Sequence, residues 1–452
     1  MRIVVVGASE TGFHLAQVLS REGHEVVVVE VREDAARRMR MALDVEVIVG
    51  NGADPKVLED AGLLRADMVI GVTDRDEVNL LCCFMASVTS RMTTKVARIR
   101  DQAYRTAVER LGGHPFAVDL CLNPEYETAL AALRLMEIPG GREVAEFADG
   151  RVLLVATTVD SWSPFVGRAL EEVQEGVSPG GKILIAALRR ETQLIIPHGK
   201  DLVREGDEVF LVAERQSVMN ALEAMGKRLE RPQKVIVYGA SKIAQYLAYL
   251  LEEGQFAAKF ICSDETLCNR LLGELRRVAV LCGEGTDQDL LLEFNVADVD
   301  YFVSASEDEE ENVLVSLLAK RLGAKRTMAL VSRLSYVSLV SNLGVDVVLN
   351  PQVASVDRVL RHTRKGDVLR VATLGAEAAE AMEAVVGSSS ELAGKPLREV
   401  KFPKDAIIGA VVRKDGVTIP HGDTVLYGGD RVVIFAKRAA VKEVESLLQG
   451  ES

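Results

Sequence analysis

The same order of segments runs through the chain twice. RIVVVGASETGFHLAQVL near the start returns as KVIVYGASKIAQYLAYLL, which sets Gly7 on Gly239. VIVGNGADPKVLEDAG meets AVLCGEGTDQDLLLEF, so Gly50, Gly52 and Asp54 fall on Gly283, Gly285 and Asp287. ADMVIGVTDRDEVN meets VDYFVSASEDEEEN, aligning Asp67 with Asp300, Glu77 with Glu310 and Asn79 with Asn312. Asn123-Pro124 matches Asn350-Pro351, and IIPHGKDLVREGDEVFLVAER matches TIPHGDTVLYGGDRVVIFAKR. Collinear repetition of this kind, over most of 452 residues, requires two copies of one folding unit.

Each copy divides again. Its first portion alternates short aliphatic runs (IVVVG, EVVVVEV, VEVIVG, DMVIGVT, KVARI) with stretches of helical periodicity such as HLAQVLSREG. Strand and helix in alternation predict βαβ units, hence an α/β Rossmann-like domain with a parallel sheet. The second portion has short runs such as VLLVATTV, KILIAALRR and DEVFLVAE between Gly, Pro and Asp turns, and reads as a small α+β module. The expected order is a Rossmann-like domain at 1–138, a module at 139–230, a second Rossmann-like domain at 231–366 and a second module at 367–452. Arg231-Pro232 marks the join, and an Ala/Leu-rich helix opens at Asn123-Pro124 and stops at Pro139-Gly140.

Composition narrows the partners. A net charge of −13 without a basic patch argues against nucleic acid and against adhesion to an anionic lipid surface. No apolar run approaches the ~18–20 residues that span a bilayer, and the opening MRIVVVGAS reads as a strand entering a turn rather than a signal peptide. The expectation is a soluble, cytoplasmic protein. The six cysteines, Cys82, Cys83, Cys121, Cys262, Cys268 and Cys282, show no CxxC or metal-ligand spacing and read as buried, reduced thiols.

The chemistry concentrates after the first strand. Gly7-Ala8-Ser9-Glu10-Thr11-Gly12 is a dinucleotide-binding turn with Ser9 in place of the middle glycine. Gly7 permits the tight turn, and Gly12 lets helix and strand approach. The helix N-terminus offers free N–H groups to a pyrophosphate, and the Ser9 hydroxyl is a further donor. Glu30 ends the second strand at the separation where an acid holds ribose hydroxyls and disfavours a 2′-phosphate, although a solvated strand-end glutamate is the plainer alternative. Thr73 and Asp74 follow another strand, as ligand contacts or helix caps. Arg98 and Arg100 alternate onto one side of a strand and suit phosphate, or else a surface ion pair. These residues predict an NAD-like or adenine nucleotide.

The second copy keeps the turn as Gly239-Ala240-Ser241-Lys242-Ile243-Ala244 but places Cys262 where Glu30 stands, with Asp264 nearby. The arginine positions become Leu330 and Ser332, and the acidic run at 306–311 reads as a helix N-terminus rather than a metal site.

Taken together, GASETG, GNGADPKVL, TDRDEVN, ARIRDQAY and NPQVASVDRVLRHTRKGDV resemble the tandem RCK (regulator of potassium conductance) proteins that regulate Trk potassium uptake, over essentially the whole chain. The resemblance implies a cytosolic ring of RCK domains beneath a potassium-translocating membrane subunit, regulated by NAD(H) or ATP/ADP. It places a nucleotide site on Gly7 to Thr11, Glu30, Thr73, Asp74 and Arg98, with Arg100 as a phosphate contact. A second site would fall on Gly239 to Ile243 and Cys262, where loss of the acid disfavours NAD-type ribose binding. It also makes the helices after Asn123-Pro124 (Leu130, Leu133, Met136) and Asn350-Pro351 (Val353, Val356, Leu360) contacts between RCK domains, in a homotetramer, where burial within one chain is the alternative.

The competing class is an NAD-dependent oxidoreductase, which needs a proton donor or acceptor beside the nicotinamide. Among the histidines, only His198 and His421 match between copies, both in the turn Ile-Pro-His-Gly, where a duplicated residue signals backbone geometry. A regulatory protein without catalytic residues is the expected class.

Overall fold

A computed structural model of the chain describes residues 1–89, 92–110, 118–177, 183–191, 193–227, 233–364, 367–374 and 378–449. The Arg231-Pro232 join and residue 366 of the expected division lie outside the described residues.

The first repeat opens with β1 (Arg2–Val6), α1 (Glu10–Arg21), β2 (Glu25–Glu30), α2 (Glu33–Ala42), β3 (Glu46–Val49) and α3 (Pro55–Asp60). It continues with β4 (Met68–Gly71), α4 (Asp76–Thr89), β5 (Thr94–Arg98), α5 (Gln102–Arg110), β6 (Leu120–Leu122) and α6 (Pro124–Glu137). Its parallel sheet has the order β3-β2-β1-β4-β5-β6, the doubly wound order that reverses beside β1. Strands β1 and β2 are buried on both faces, which is why they read as continuous aliphatic runs and not as an apolar–polar alternation.

The first module follows with β7 (Glu143–Phe147), β8 (Val152–Thr158), α7 (Leu170–Val177), β9 (Ile183–Arg190), β10 (Gln193–Ile195), β11 (Glu208–Glu214) and α8 (Val218–Ala224). The second repeat replays the pattern. Its Rossmann part runs β12 (Lys234–Tyr238), α9 (Lys242–Glu253), β13 (Ala257–Cys262), α10 (Glu265–Glu274), β14 (Ala279–Cys282), α11 (Gln288–Glu293), β15 (Tyr301–Ser304), α12 (Glu309–Arg321), β16 (Arg326–Leu330), α13 (Leu334–Asn342), β17 (Val347–Leu349) and α14 (Pro351–Thr363). Its module runs β18 (Val368–Leu374), β19 (Ala379–Val385), β20 (Ala406–Arg413), β21 (Gly416–Thr418), β22 (Arg431–Lys437) and α15 (Val441–Gln449). The second parallel sheet, β14-β13-β12-β15-β16-β17, reproduces the first position by position, and both modules form five-stranded antiparallel sheets.

The chain groups like with like. Residues 1–130 and 234–363 form one compact unit, and residues 131–233 and 364–452 form the other. In the first unit the two Rossmann domains exchange helices: α14 of the second packs on α1 of the first. Reciprocally, Tyr126 of α6 meets Tyr246 of α9 edge-on, with ring centroids 5.5 Å apart. An ion pair between Arg358 and Glu127 joins α14 to α6. The apolar positions Val356 and Leu360 of α14 are buried within the single chain.

In the second unit the two modules share one core. Along β8, Val152, Leu154 and Ala156 enter that core with Phe210, Val412 and Phe435, while Leu153 and Val155 face α7 and α8. Burial on both faces again explains a continuous apolar run. The rings of Phe210 and Phe435 lie 5.7 Å apart across the joint, and the Ala148 N–H donates to buried Glu383 at 2.9 Å. Arg431 binds both Glu383 and Asp149, so each module supplies charge to the seam. No helix of the described residues is long and apolar enough to cross a membrane.

Candidate functional site

The turn after β1 is built as its residues require. Gly7 has φ +110°, and a Cβ there would lie 2.9 Å from the Thr73 nitrogen. Only glycine accepts both the left-handed backbone and that approach. A Cβ on Gly12 would overlap the Gly7 carbonyl oxygen, so helix and turn are in direct contact. Ser9 caps α1, accepting from the Gly12 N–H at 3.4 Å, while its own hydroxyl donates to the Val72 carbonyl at 3.2 Å. The Ser9 proton is therefore committed to the β4 end; with the Gly12 N–H on Ser9 and the Ala8 N–H on Glu30, it is the remaining N–H groups of the turn and helix start that can face an anion.

Glu30 is buried at the end of β2 and reaches the turn. Its Oε2 accepts the Ala8 N–H at 2.7 Å, and its Oε1 accepts the Arg32 N–H at 2.9 Å. Oε1 also takes the Arg32 Nε–H at 3.4 Å. A carboxylate has about four lone-pair sites, two on each oxygen, so Oε2 keeps capacity for a ribose hydroxyl. This is not a solvated strand end. Two backbone amides hold the carboxylate at the carboxyl edge of the sheet, beside the switch point between β1 and β4 where ligands of such sheets bind.

The next strands close the same edge. Asn79, fully buried on α4, accepts the Thr73 N–H at 2.8 Å and the Thr73 hydroxyl at 2.7 Å. Its amide donates to the carbonyls of Thr73 at 3.2 Å and Arg98 at 2.9 Å. Asp76 accepts the N–H groups of Arg100 at 2.9 Å and Asp101 at 2.8 Å through Oδ2, while its buried Oδ1 has no partner among the described residues. The Arg100 guanidinium donates to the Asp74 carbonyl, and Arg98 is ion-paired with Glu125 of α6. Ala8, Ser9, Glu30, Thr73, Asp74, Arg98 and Arg100 thus line one edge. Glu10 instead turns outward to Arg38 at 2.7 Å, and Thr11 is buried within α1.

Asn79 and Asp76 organise this edge without having been read as site residues. The signal for Asn79 lay in the duplication: Asn312 accepts the Ser306 N–H at 2.7 Å and donates to the carbonyls of Ser306 at 3.0 Å and Leu330 at 3.1 Å.

The second repeat keeps the backbone and loses the polar contacts. Gly239 has φ +125°, and a Cβ there would overlap the Ala305 carbonyl. Ser241 caps α9, accepting from Ala244 at 3.2 Å and donating to the Ala305 carbonyl at 2.5 Å, as Ser9 does to Val72. Ala240 is half-buried, Lys242 is exposed and Ile243 is buried. Cys262 is buried with its sulfur on Cys268, so it offers ribose no acceptor like Glu30. Asp264 cannot replace it, because its carboxylate caps α10 through the N–H groups of Thr266 at 2.8 Å and Leu267 at 3.0 Å. Tyr238, standing where the first repeat has Val6, fills the space beside Gly285 and donates to Glu311 at 2.6 Å. Burial and that carboxylate push the Tyr238 phenol well above its ordinary range.

One expectation needs correction. Cys282 is exposed and Cys121 half-buried, so the six thiols are not uniformly interior; these two lie on the edge strands β14 and β6. Of the two arginines, Arg98 is engaged by Glu125 of α6 and Arg100 by a carbonyl of the β4–α4 loop. His198 and His421 lie in turns where their N–H groups donate to Asp201 at 2.7 Å and Thr424 at 3.0 Å. No group of three or more His, Cys, Asp or Glu among the described residues is placed to hold a metal.

Comparison with known proteins follows the same division. The TrkA-N domain family matches residues 3–122 and 235–351, and the TrkA-C domain family matches residues 154–226 and 381–449. The Trk system potassium uptake protein TrkA of Halomonas elongata is 36% identical over 454 residues, covering 99% of each chain. That of Vibrio alginolyticus is 35% identical over 457 residues, again with 99% of each covered. The homolog from Archaeoglobus fulgidus is 36% identical, covering 99% of this chain and all of its own. Among solved structures, the GsuK channel superposes with a TM-score of 0.63 at 18% identity, covering 99% of this chain and 78% of its own. The GsuK channel bound to NAD gives 0.62 at 17% identity, with the same coverage. With both domain types matched twice in order and full-length relatives above one-third identity, the chain belongs to the TrkA family of tandem RCK-domain proteins.

Proposed function

We propose that this chain is the nucleotide-sensing regulatory subunit of a Trk-type potassium uptake system. Its relatives carry the name of that system, and its fold is that of a channel solved with NAD. The observation that carries the reading is the buried Glu30 carboxylate, hydrogen-bonded to the Ala8 N–H of a glycine turn at the sheet's switch point. There it accepts the ribose hydroxyls of NAD(H) or of ATP/ADP, the Gly7–Gly12 turn and the α1 N-terminus take the phosphates, and Arg98 and Arg100 read how many phosphates are present. Gly239 to Ile243 and Cys262 serve as a structural counterpart.

The subunit assembles as a homotetramer on the cytoplasmic side of a potassium-translocating membrane partner, and it performs no catalysis. The four-part division at 1–138, 139–230, 231–366 and 367–452 remains our assignment of its domains. A thermal-shift panel of NAD⁺, NADH, ATP and ADP on the full-length protein tests the reading. A ligand at 100 times its Kd stabilises the native state by about 2.7 kcal/mol. Stabilisation by none of the four refutes the proposal.

A further inference from the structure

All three cysteines of the second repeat meet at one corner of its Rossmann domain. Cys262 ends β13, Cys282 ends β14, and strand register sets them side by side. Cys268 returns over them from the first turn of α10. The Cys262 and Cys268 sulfurs lie 2.6 Å apart, and the Cys268 thiol also donates to the Cys262 carbonyl at 3.3 Å. The Cys268 thiol also reaches the carbonyl of Leu281, the residue before Cys282, at 3.8 Å. The corresponding residues of the first repeat are Glu30, Ala36 and Val49. One corner therefore carries the candidate ribose carboxylate in one repeat and three thiols in the other.

Sulfurs at 2.6 Å are closer than non-bonded heavy atoms ordinarily pack, about 3.5–4.0 Å between carbons. A small side-chain movement brings them to the ~2.05 Å of a disulfide. The cluster is not placed to hold a metal. Access is graded: Cys262 and Cys268 are buried, and Cys282 is exposed.

We propose that Cys262, Cys268 and Cys282 form a reversible disulfide site, entered by a small-molecule disulfide at Cys282 and closed between Cys268 and Cys262. The Cys282 thiolate attacks one sulfur of oxidised glutathione, releasing one glutathione thiolate and forming a mixed disulfide. Cys268 attacks the Cys282 sulfur and displaces the second glutathione. Cys262 then attacks Cys268, which restores the Cys282 thiol and leaves the Cys262–Cys268 bond. Two protein thiols lose two electrons and two protons, and the small disulfide gains them as two thiols. Burial raises the Cys268 pKa to about 11 and the neighbouring Cys268 thiol raises that of Cys282 to about 11, so the resting cluster is protonated and exchange accelerates as pH rises. A reducing cytosol resets it. The closed bond would pin the end of β13 to α10 across the Asp264 cap, fixing the corner independently of any nucleotide.

Both inner cysteines fall in one tryptic peptide, FICSDETLCNR, which makes the test direct. The full-length protein is incubated with oxidised glutathione at mildly alkaline pH, alkylated, digested and weighed. We expect this peptide to lose two hydrogens, carry no alkyl group and revert with dithiothreitol, while Cys282→Ser slows closure at least about ten-fold. A peptide that stays alkylated at both cysteines while Cys282 is glutathionylated overturns the disulfide. Closure at the unaltered rate in Cys282→Ser overturns the relay.

Discussion

Tyr246 of the second repeat donates its hydroxyl to the carbonyl of Arg100 in the first, at 3.3 Å. The same oxygen accepts from the Asn123 amide at 3.2 Å, and its ring rests on Tyr126. The repeat that has lost its own acid and arginines therefore holds the strand end that presents the first repeat's arginine. Tyr246→Phe keeps the ring packing and removes the hydroxyl. We expect an unchanged fold, faster hydrogen exchange in residues 99–103, and a two- to ten-fold weaker preference between ATP and ADP, about the worth of one neutral hydrogen bond. Calorimetry and exchange mass spectrometry check both effects.

Arg98 is engaged by Glu125 before any phosphate arrives, so the two anions compete for one guanidinium. Glu125→Gln should free Arg98 and tighten binding of the triphosphate by several-fold, with adenosine itself unaffected. Replacing Arg98 and Arg100 together by Gln should erase the difference between ATP and ADP in reconstituted potassium flux. A double variant that still distinguishes them moves the switch elsewhere.

The joint between the modules is apolar and tightly filled. Phe435→Ala removes a fully buried ring that both modules share and should cost about 3–5 kcal/mol, read by denaturant unfolding. A loss below about 1 kcal/mol would show that the shared core relaxes around the cavity.

A duplicated ion pair braces both modules: Arg190 on Asp207 at 2.7 Å, and Arg413 on Asp430 at 2.7 Å. Burial alone would raise the Asp430 carboxyl, but Arg413 and the Tyr427 N–H outweigh it and hold it below its ordinary 3.8. A depressed folded pKa means stability present above 3.8 and lost as pH falls through the lower value. Asp430→Asn should flatten that part of the acid-unfolding curve while leaving its slope above about pH 5 unchanged, as followed by circular dichroism.

Much of this was legible because the sequence states it twice. The duplicated glycine turns, valine strands and Asn-Pro helix starts define two parallel sheets, and Glu30 stands at the spacing the proposed ribose contact needs. The pairing of like domains was not legible, since the apolar stripe of α14 and the continuous apolar run of β8 say that they are buried but not against what. Asp76 and Asn79 follow a strand as ordinary caps do, and only the fold shows them tying β4 to β5. The thiol corner matches no cysteine spacing motif, because it depends on the register of β13 with β14 and the return of α10.

The central claim is that the first repeat binds nucleotide through Glu30 and the second does not. Isothermal titration of the full-length protein with NADH and with ATP measures it most directly, by counting sites per chain. The account predicts a single site per chain, weakened at least about ten-fold by Glu30→Ala, which also strands the Ala8 N–H, and untouched by Cys262→Ala. Two equal sites, or a site that survives Glu30→Ala at full affinity, would contradict it.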